Sequence, residues 1–191
     1  EYREAASDIK EQADRMSKMI SELLAMSRLD KGTQKIEKER INLSELCEMV
    51  CNDQEIINSG EISLVRDIQP EIYINSDRDL VMRIFINLIS NAYKYGSDGK
   101  SIDVSLSESG SSAIFSVTDH GQGIKEENID KIWDRFYRVD YARTKYDASS
   151  TGLGLSMVKE ICELLGASAE VESKWGSGSC FTVTLPVDLE M

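Results

Sequence analysis

Two short runs, Ile102–Leu106 and Ala113–Thr118, alternate like paired strands, with only Ile114 breaking the apolar–polar pattern and a Ser/Gly-rich turn between them. At a period of two, every apolar side chain projects from the same side of a strand. The runs therefore read as a strand pair with one apolar face, and that face has to be covered. Covering helices are available on both sides in the chain. Asn42 and Glu45 form a capping-box pattern ahead of a helix reaching about residue 59. Ser76 and Asp79 form a second, ahead of a helix whose Leu80, Ile84 and Leu88 share one face. Gly152–Leu165 reads as another helix, and residues 126–136 as a further helical stretch. More β-prone runs occur at 62–68 and 72–75, around Gln69-Pro70, and at 169–173 and 180–185, around Trp175-Gly-Ser-Gly. Strands and helices are interleaved without a regular strand–helix–strand repeat. The expected fold class is α/β, a two-layer sandwich in which helices cover one face of a mixed sheet.

The first thirty residues impose a different constraint. Ile9, Ala13, Met16, Ile20 and Leu23 recur at alternating spacings of four and three, and Met19, Leu24 and Met26 widen the stripe. Lys10, Glu11, Asp14, Arg15 and Lys18 cover the opposite side. This is the seam of a helical bundle, and it predicts one long N-terminal helix stopped at Lys31-Gly32-Thr33. Folding the helix back on its own domain would also hide the stripe, but membership of a dimeric bundle fits better. The expected organisation is a bundle helix over 1–32, a connector over 33–41 and an α/β domain over 42–188.

Charge narrows the partners. A net charge of −12 repels phosphate backbones and anionic lipid, so no nucleic-acid partner is expected. A phosphate-bearing ligand would have to be held locally, by backbone N–H groups, a metal ion or a few aimed cations. The four cysteines, Cys47, Cys51, Cys162 and Cys180, sit in apolar patterns with no CxxC pair and no neighbouring histidine. They read as reduced, buried thiols rather than a zinc site.

Three motifs carry possible chemistry. Asn87, Asn91 and Lys94 lie on one face of the predicted helix over 76–95, followed by Tyr95. Asparagine is a poor interior helix former, so two of them one turn apart need a reason. Carboxamide oxygens suit Mg²⁺ shared with phosphates, and a lysine one turn on could meet those phosphates; a solvated polar stripe is the plain alternative. Asp119-His-Gly121-Gln-Gly123-Ile124 follows directly on a predicted strand, where a carboxylate can accept from an amine and glycines admit a flat ligand. Ser149-Ser150-Thr151-Gly152-Leu153-Gly154-Leu155 enters a helix, an arrangement that can hold phosphate on backbone N–H groups. Arg138 and Arg143 precede it in a polar segment and could close over phosphates. Taken alone, that segment fits an ordinary exposed loop better than a phosphate site.

Together and in this order, with Phe136-Tyr-Arg138 and with Gly176-Ser-Gly178-Ser179-Cys-Phe181 ahead of Leu185-Pro186, the motifs resemble the N, G1, F, G2 and G3 boxes of histidine kinases. These belong to a superfamily that also holds gyrase, mismatch-repair and heat-shock chaperone ATPases. The resemblance covers residues 42–187, and Ser21–Asp30 resembles the end of the second helix of the family's dimerisation domain. It implies a Bergerat-type ATP-binding fold and ATP and Mg²⁺ as cofactors. Asn91, with Asn87, would hold the metal; Lys94 would meet phosphate and Tyr95 would flank the adenine. Asp119 would receive the adenine amino group, with Gly121, Gly123 and Ile124 lining the pocket. Arg138 and Arg143 would reach the terminal phosphates from a lid. Gly152, Leu153, Gly154 and Leu155 would hinge that lid and offer N–H groups, with Thr151 among the ATP-binding residues, and Ser179 stands near the purine.

The resemblance further implies a homodimeric parent whose acceptor histidine lies on a first dimerisation helix, with a response regulator receiver domain receiving the phosphate. It places this domain in the cytoplasm, under a sensor in the inner or plasma membrane of a bacterium. Two departures stand out. Ser149-Ser150 replaces the usual Gly-Gly of the G2 box, and the only histidine, His120, falls in the Gly-rich turn at the adenine end. It reads as a rim or solvent-facing side chain rather than an acceptor. Related ATPases place a glutamate near position 87 to activate water; asparagine cannot act as that base, so a kinase is expected rather than an ATPase. A nucleotide-binding interaction module without transferase activity is the alternative.

Overall fold

The structure, a computed structural model, describes residues 2–30, 34–58, 62–96, 101–139 and 151–187. Five strands form the main sheet in the order β2 (Ser63–Ile68), β4 (Ser101–Ser109), β5 (Ser112–Asp119), β7 (Gly178–Pro186), β6 (Ser168–Lys174). β2 runs parallel to β4 and every other pairing is antiparallel, so the sheet is mixed as expected. β1 (Glu39–Asn42) and β3 (Tyr73–Ser76) make a separate antiparallel ribbon. The expected connector thus ends in a strand, one too short for its alternation to register in the sequence.

Burial alternates residue by residue along β5 and along β4 as far as Leu106. Ile102, Val104 and Leu106 pair across to Asp119, Val117 and Phe115, and the apolar members of this set face the helices. α2 (Leu43–Ile57), α3 (Arg78–Tyr95) and α5 (Gly154–Leu165) form the covering layer. Leu80, Ile84, Leu88 and Ala92 of α3 point inward at helical spacing, which leaves Asn87, Asn91 and Lys94 on a less buried side. The rings of Phe85 and Phe115 lie 4.1 Å apart and pin α3 to the middle of the sheet.

The caps are partly as expected. Asn42 accepts from the Glu45 N–H and starts α2. Ser76, however, does not cap α3, because it is held in β3 opposite Glu39. Asp77 does so instead, with Oδ1 accepting from Asp79 and Leu80 N–H at 3.1 Å and Oδ2 accepting from Glu37 N–H at 3.0 Å. Asp77→Ala removes a cap and a tie to the connector together. It is expected to lower stability by about 1–2 kcal/mol, read as a shift in the urea midpoint.

The helical stretch expected over 126–136 is broken. A four-residue α4 (Glu126–Ile129) is followed by a 3-10 turn (Lys131–Trp133). Phe136 then adopts a φ of +63°, which no right-handed helix accepts, and donates its N–H to Gly152 O. Likewise α5 starts at Gly154 rather than Gly152, whose φ is +74°.

The N-terminal helix α1 (Tyr2–Asp30) is continuous. Its last turns lie on the domain, with Met26 buried and Ala25 and Leu29 packed against the core. Ile9, Met16, Ile20 and Leu24 remain exposed. The stripe is therefore covered by its own domain at one end and open at the other. Among the described residues no helix is long and apolar enough to cross a membrane.

Candidate functional site

The motif residues converge where the C-terminal end of β5, the last turns of α3 and the start of α5 meet. Asp119, the last residue of β5, is 5 % exposed and accepts the Gly121 N–H at 3.0 Å. Burial raises its pKa above the ordinary carboxylate value, against the opposing pull of hydrogen bonds from the Gly121 and Ser179 backbone. Strand register places Ser179 of β7 directly beside it. The Ser179 hydroxyl lies 2.9 Å from that of Ser173, which also accepts the Ile124 N–H at 2.8 Å.

The glycines here are needed for space. A Cβ on Gly121 would lie 2.4 Å from Tyr95 O, and one on Gly123, at φ +71°, would lie 2.2 Å from Lys174 O. Backbone stands in the way at both positions, so the turn can close around Asp119 only without side chains. Gly154 is constrained differently, since its Cβ would sit 2.9 Å from Asn87 Oδ1.

Two cavities open beside one another. The first, of about 100 Å³, is lined by Asp119, Gly123, Ile124, Leu155, Ser179 and Phe181 among others. The second, of about 340 Å³, carries Asn87, Lys94, Thr151, Gly152 and Gly154. Asn91, Tyr95, Tyr137, Arg138, Ile132 and Leu155 line both and join them. The joined space thus has the buried Asp119 carboxylate at one end, Lys94 and Arg83 with the half-buried Glu22 at the other, and Arg138 where the two cavities meet. That polarity suits a ligand with an amine-bearing ring and an anionic tail.

Of the sequence-predicted residues, two do not line either cavity. Gly121 lies behind Asp119 as its hydrogen-bond donor. Leu153 is fully buried and gives its N–H to Thr151 Oγ1 at 3.3 Å. Arg143, Ser149 and Ser150 fall outside the described residues. His120 lines neither cavity; it is half-exposed and its Nε2 meets Asp103 Oδ2 at 2.6 Å. Residues that sequence reasoning left out are Ile132, Phe181 and Tyr137, whose hydroxyl donates to Asn128 Oδ1 at 2.8 Å. Ile132 looks like any core residue in the sequence, whereas Phe181 closes the Gly-Ser-Gly motif and Tyr137 lies inside the Phe-Tyr-Arg motif. Ser21 and Glu22 of α1 also line the larger cavity, which no local pattern foretold.

Asn87 and Asn91 can be tested as holders of a metal ion. Asn87 donates its amide NH₂ to Arg83 O at 2.8 Å, which leaves its oxygen as the available lone-pair donor. The described residues contain no cluster of three or more His, Cys, Asp or Glu that could bind a cation on its own. Two neutral carboxamides fit an ion shared with ligand phosphates and do not fit an independent metal centre.

Residues 76–189 match the family described as histidine kinase-, DNA gyrase B-, and HSP90-like ATPase. Among curated proteins, the sensor histidine kinase WalK of Bacillus subtilis is 31% identical over 178 residues, covering 92% of this chain and 29% of the relative. Sensor protein kinase WalK of Staphylococcus aureus is 32% identical over 183 residues, 94% of this chain and 44% of the relative. The chain therefore spans less than half the length of these relatives. Among solved structures, full-length ShkA in complex with AMPPNP has a TM-score of 0.81 at 21% identity, covering 96% of this chain and 38% of that one. The catalytic domain of histidine kinase ThkA has a TM-score of 0.67 at 26% identity, covering 79% of this chain and 96% of that one. The protein accordingly belongs to the histidine kinase-, DNA gyrase B- and HSP90-like ATPase family, as an ATP-binding domain of the histidine kinase type.

Proposed function

We propose that the joined cavities bind Mg·ATP and deliver its γ-phosphate to a histidine on another segment of the parent protein. The observation that carries this reading is the pairing of Asp119, buried and set in a cradle of glycines, with a cationic cavity opening directly from it. Asp119 accepts from the adenine amino group, Gly123 lets the backbone approach the ring, and Gly121 holds the carboxylate from behind. Ile124, Tyr95 and Ser179 flank the purine. Lys94 and Arg138, joined by Arg143, neutralise the phosphates. Thr151, Gly152, Gly154 and Leu155 position the end of the lid, with Leu153 anchoring it from the core.

Bound Mg²⁺ would offset charge on the phosphate oxygens, and Asn91 and Asn87 are the residues that would hold it. Phosphoryl transfer of this kind needs positioning and charge neutralisation more than covalent help from the protein. Asn87 cannot act as a general base, which disfavours attack by water. The only histidine of these residues, His120, is tied to Asp103 away from the cationic cavity, so the nucleophile has to come from elsewhere. In this reading α1 is the second helix of a dimerisation bundle, the parent is a homodimeric bacterial membrane sensor, and a response regulator receiver domain takes the phosphate onward.

Incubating the chain with γ-labelled ATP, Mg²⁺ and a separately prepared first dimerisation helix tests this. Acid-labile, base-stable label on the added segment is the expected result. Saturable ATP binding with no label on any acceptor would instead favour an interaction module.

A further inference from the structure

Among the described residues that line the cationic cavity there is one carboxylate, Glu22, and it comes from α1 rather than from the α/β domain. Its Oε2 accepts from Thr151 Oγ1 at 2.5 Å, and Thr151 Oγ1 in turn accepts the Leu153 N–H at 3.3 Å. The chain of bonds therefore runs from α1 to the entry of α5. The contact is not a loose surface pair. One turn further along α1, Met26 is buried with Ala25 and Leu29 packed beside it, which fixes the height and rotation of Glu22. Arg83, Lys94 and Arg138 line the same space. Among the described residues a single anionic side chain, delivered by a separate helix, thus occupies the cavity in which cations gather and holds the Thr151 hydroxyl ahead of α5.

We infer that Glu22 stands in for the terminal phosphate, and so makes the site discriminate between nucleoside triphosphate and diphosphate. This rests on the nucleotide reading above and adds to it a residue that the α/β domain alone would lack. A third phosphate brings negative charge towards the carboxylate and competes for Thr151 and the nearby cations. A diphosphate ends short of this contact and leaves the Thr151–Glu22 bond in place. Like charges brought close in a partly desolvated cleft repel by an amount that solvent reduces but does not abolish. The bond therefore opens when triphosphate enters and re-forms once the terminal phosphate has left. Glu22 acts here as a specificity-determining residue of the existing site.

Calorimetric titration of ATP and of ADP into the whole chain, and into its E22Q and E22A variants, tests the inference. Both variants should bind ATP about three- to tenfold more tightly, with ADP affinity unchanged. The gain should shrink as salt is raised from low to 0.5 M, because the repulsion is screened. ADP binding serves as the control that the variants remain folded. Equal changes for ATP and ADP, no change for either, or weaker ATP binding would overturn the role of Glu22 while leaving the nucleotide site standing. Failure of both nucleotides to bind the unaltered chain would overturn the site reading and this inference with it.

Discussion

Asp119→Asn is expected to weaken ATP binding by at least about thirtyfold, a loss on the order of 2–3 kcal/mol for a buried, charge-assisted hydrogen bond. The side chain is 5 % exposed, so water cannot take over its role. One oxygen is engaged by the Gly121 N–H, and the backbone of Ser179 also contributes to holding the carboxylate. Asparagine keeps the shape but exchanges one acceptor for an NH₂ donor. That donor would face the amino group of adenine, donor against donor. ADP should lose as much affinity as ATP, since the change lies at the purine end. Calorimetry with both nucleotides checks this, and the thermal midpoint should move little because burial already disfavours the charge that the substitution removes. A loss confined to ATP would place Asp119 at the phosphate end and contradict the assigned polarity of the site.

Phe115→Ala is expected to destabilise the domain by about 3–5 kcal/mol, enough to unfold a marginal protein. Phe115 is fully buried at the centre of β5, and its ring packs at a tilt of 35° against Phe85 of α3, with centroids 4.1 Å apart. Truncation removes that contact and leaves a cavity under the helix that carries Asn87, Asn91 and Lys94. Chemical denaturation gives the loss directly. If some folded protein remains, its nucleotide affinity should fall as well, although no atom of Phe115 lines either cavity. Phe115→Leu, which keeps most of the volume, should cost markedly less.

Strand β5 and helix α3 show what was legible in the sequence and why. β4 alternates strictly over Ile102–Leu106 and β5 does so apart from Ile114, so the existence of both strands and most of their inward faces are legible from period alone. The Asn/Asn/Lys face of α3 stood out because asparagine fits the interior of a helix poorly. Where the sequence reading failed, tertiary contacts had overridden local pattern. Ser76 and Asp79 match a capping box, but β3 pairs with β1 through Ser76 and the cap shifts to Asp77. Residues 126–136 carry enough apolar side chains for a helix, yet Phe136 is turned to a positive φ and tied to Gly152, two segments that meet only in the fold. Gly121 and Gly123 were picked out as places where backbone could come close; the actual obstacle to a side chain at each is another strand's or helix's carbonyl. Glu22 was invisible for the same reason. Nothing within α1 marks it, and its importance comes from Thr151, far away in the chain.

The most direct measurement is a calorimetric titration of the chain with ATP, carried out in Mg²⁺ and again in EDTA. Binding to one site with affinity on the order of micromolar is expected in Mg²⁺, clearly weaker without the metal, and with no heat when Mg²⁺ is added alone, since the described residues offer it two neutral carboxamides and the one carboxylate of Glu22, already engaged by Thr151, and no cluster of three or more ligating side chains. Absence of ATP binding up to millimolar concentration, or Mg²⁺ binding that needs no nucleotide, would contradict a site in which Asp119 holds the base and Asn87 and Asn91 hold an ion shared with the phosphates.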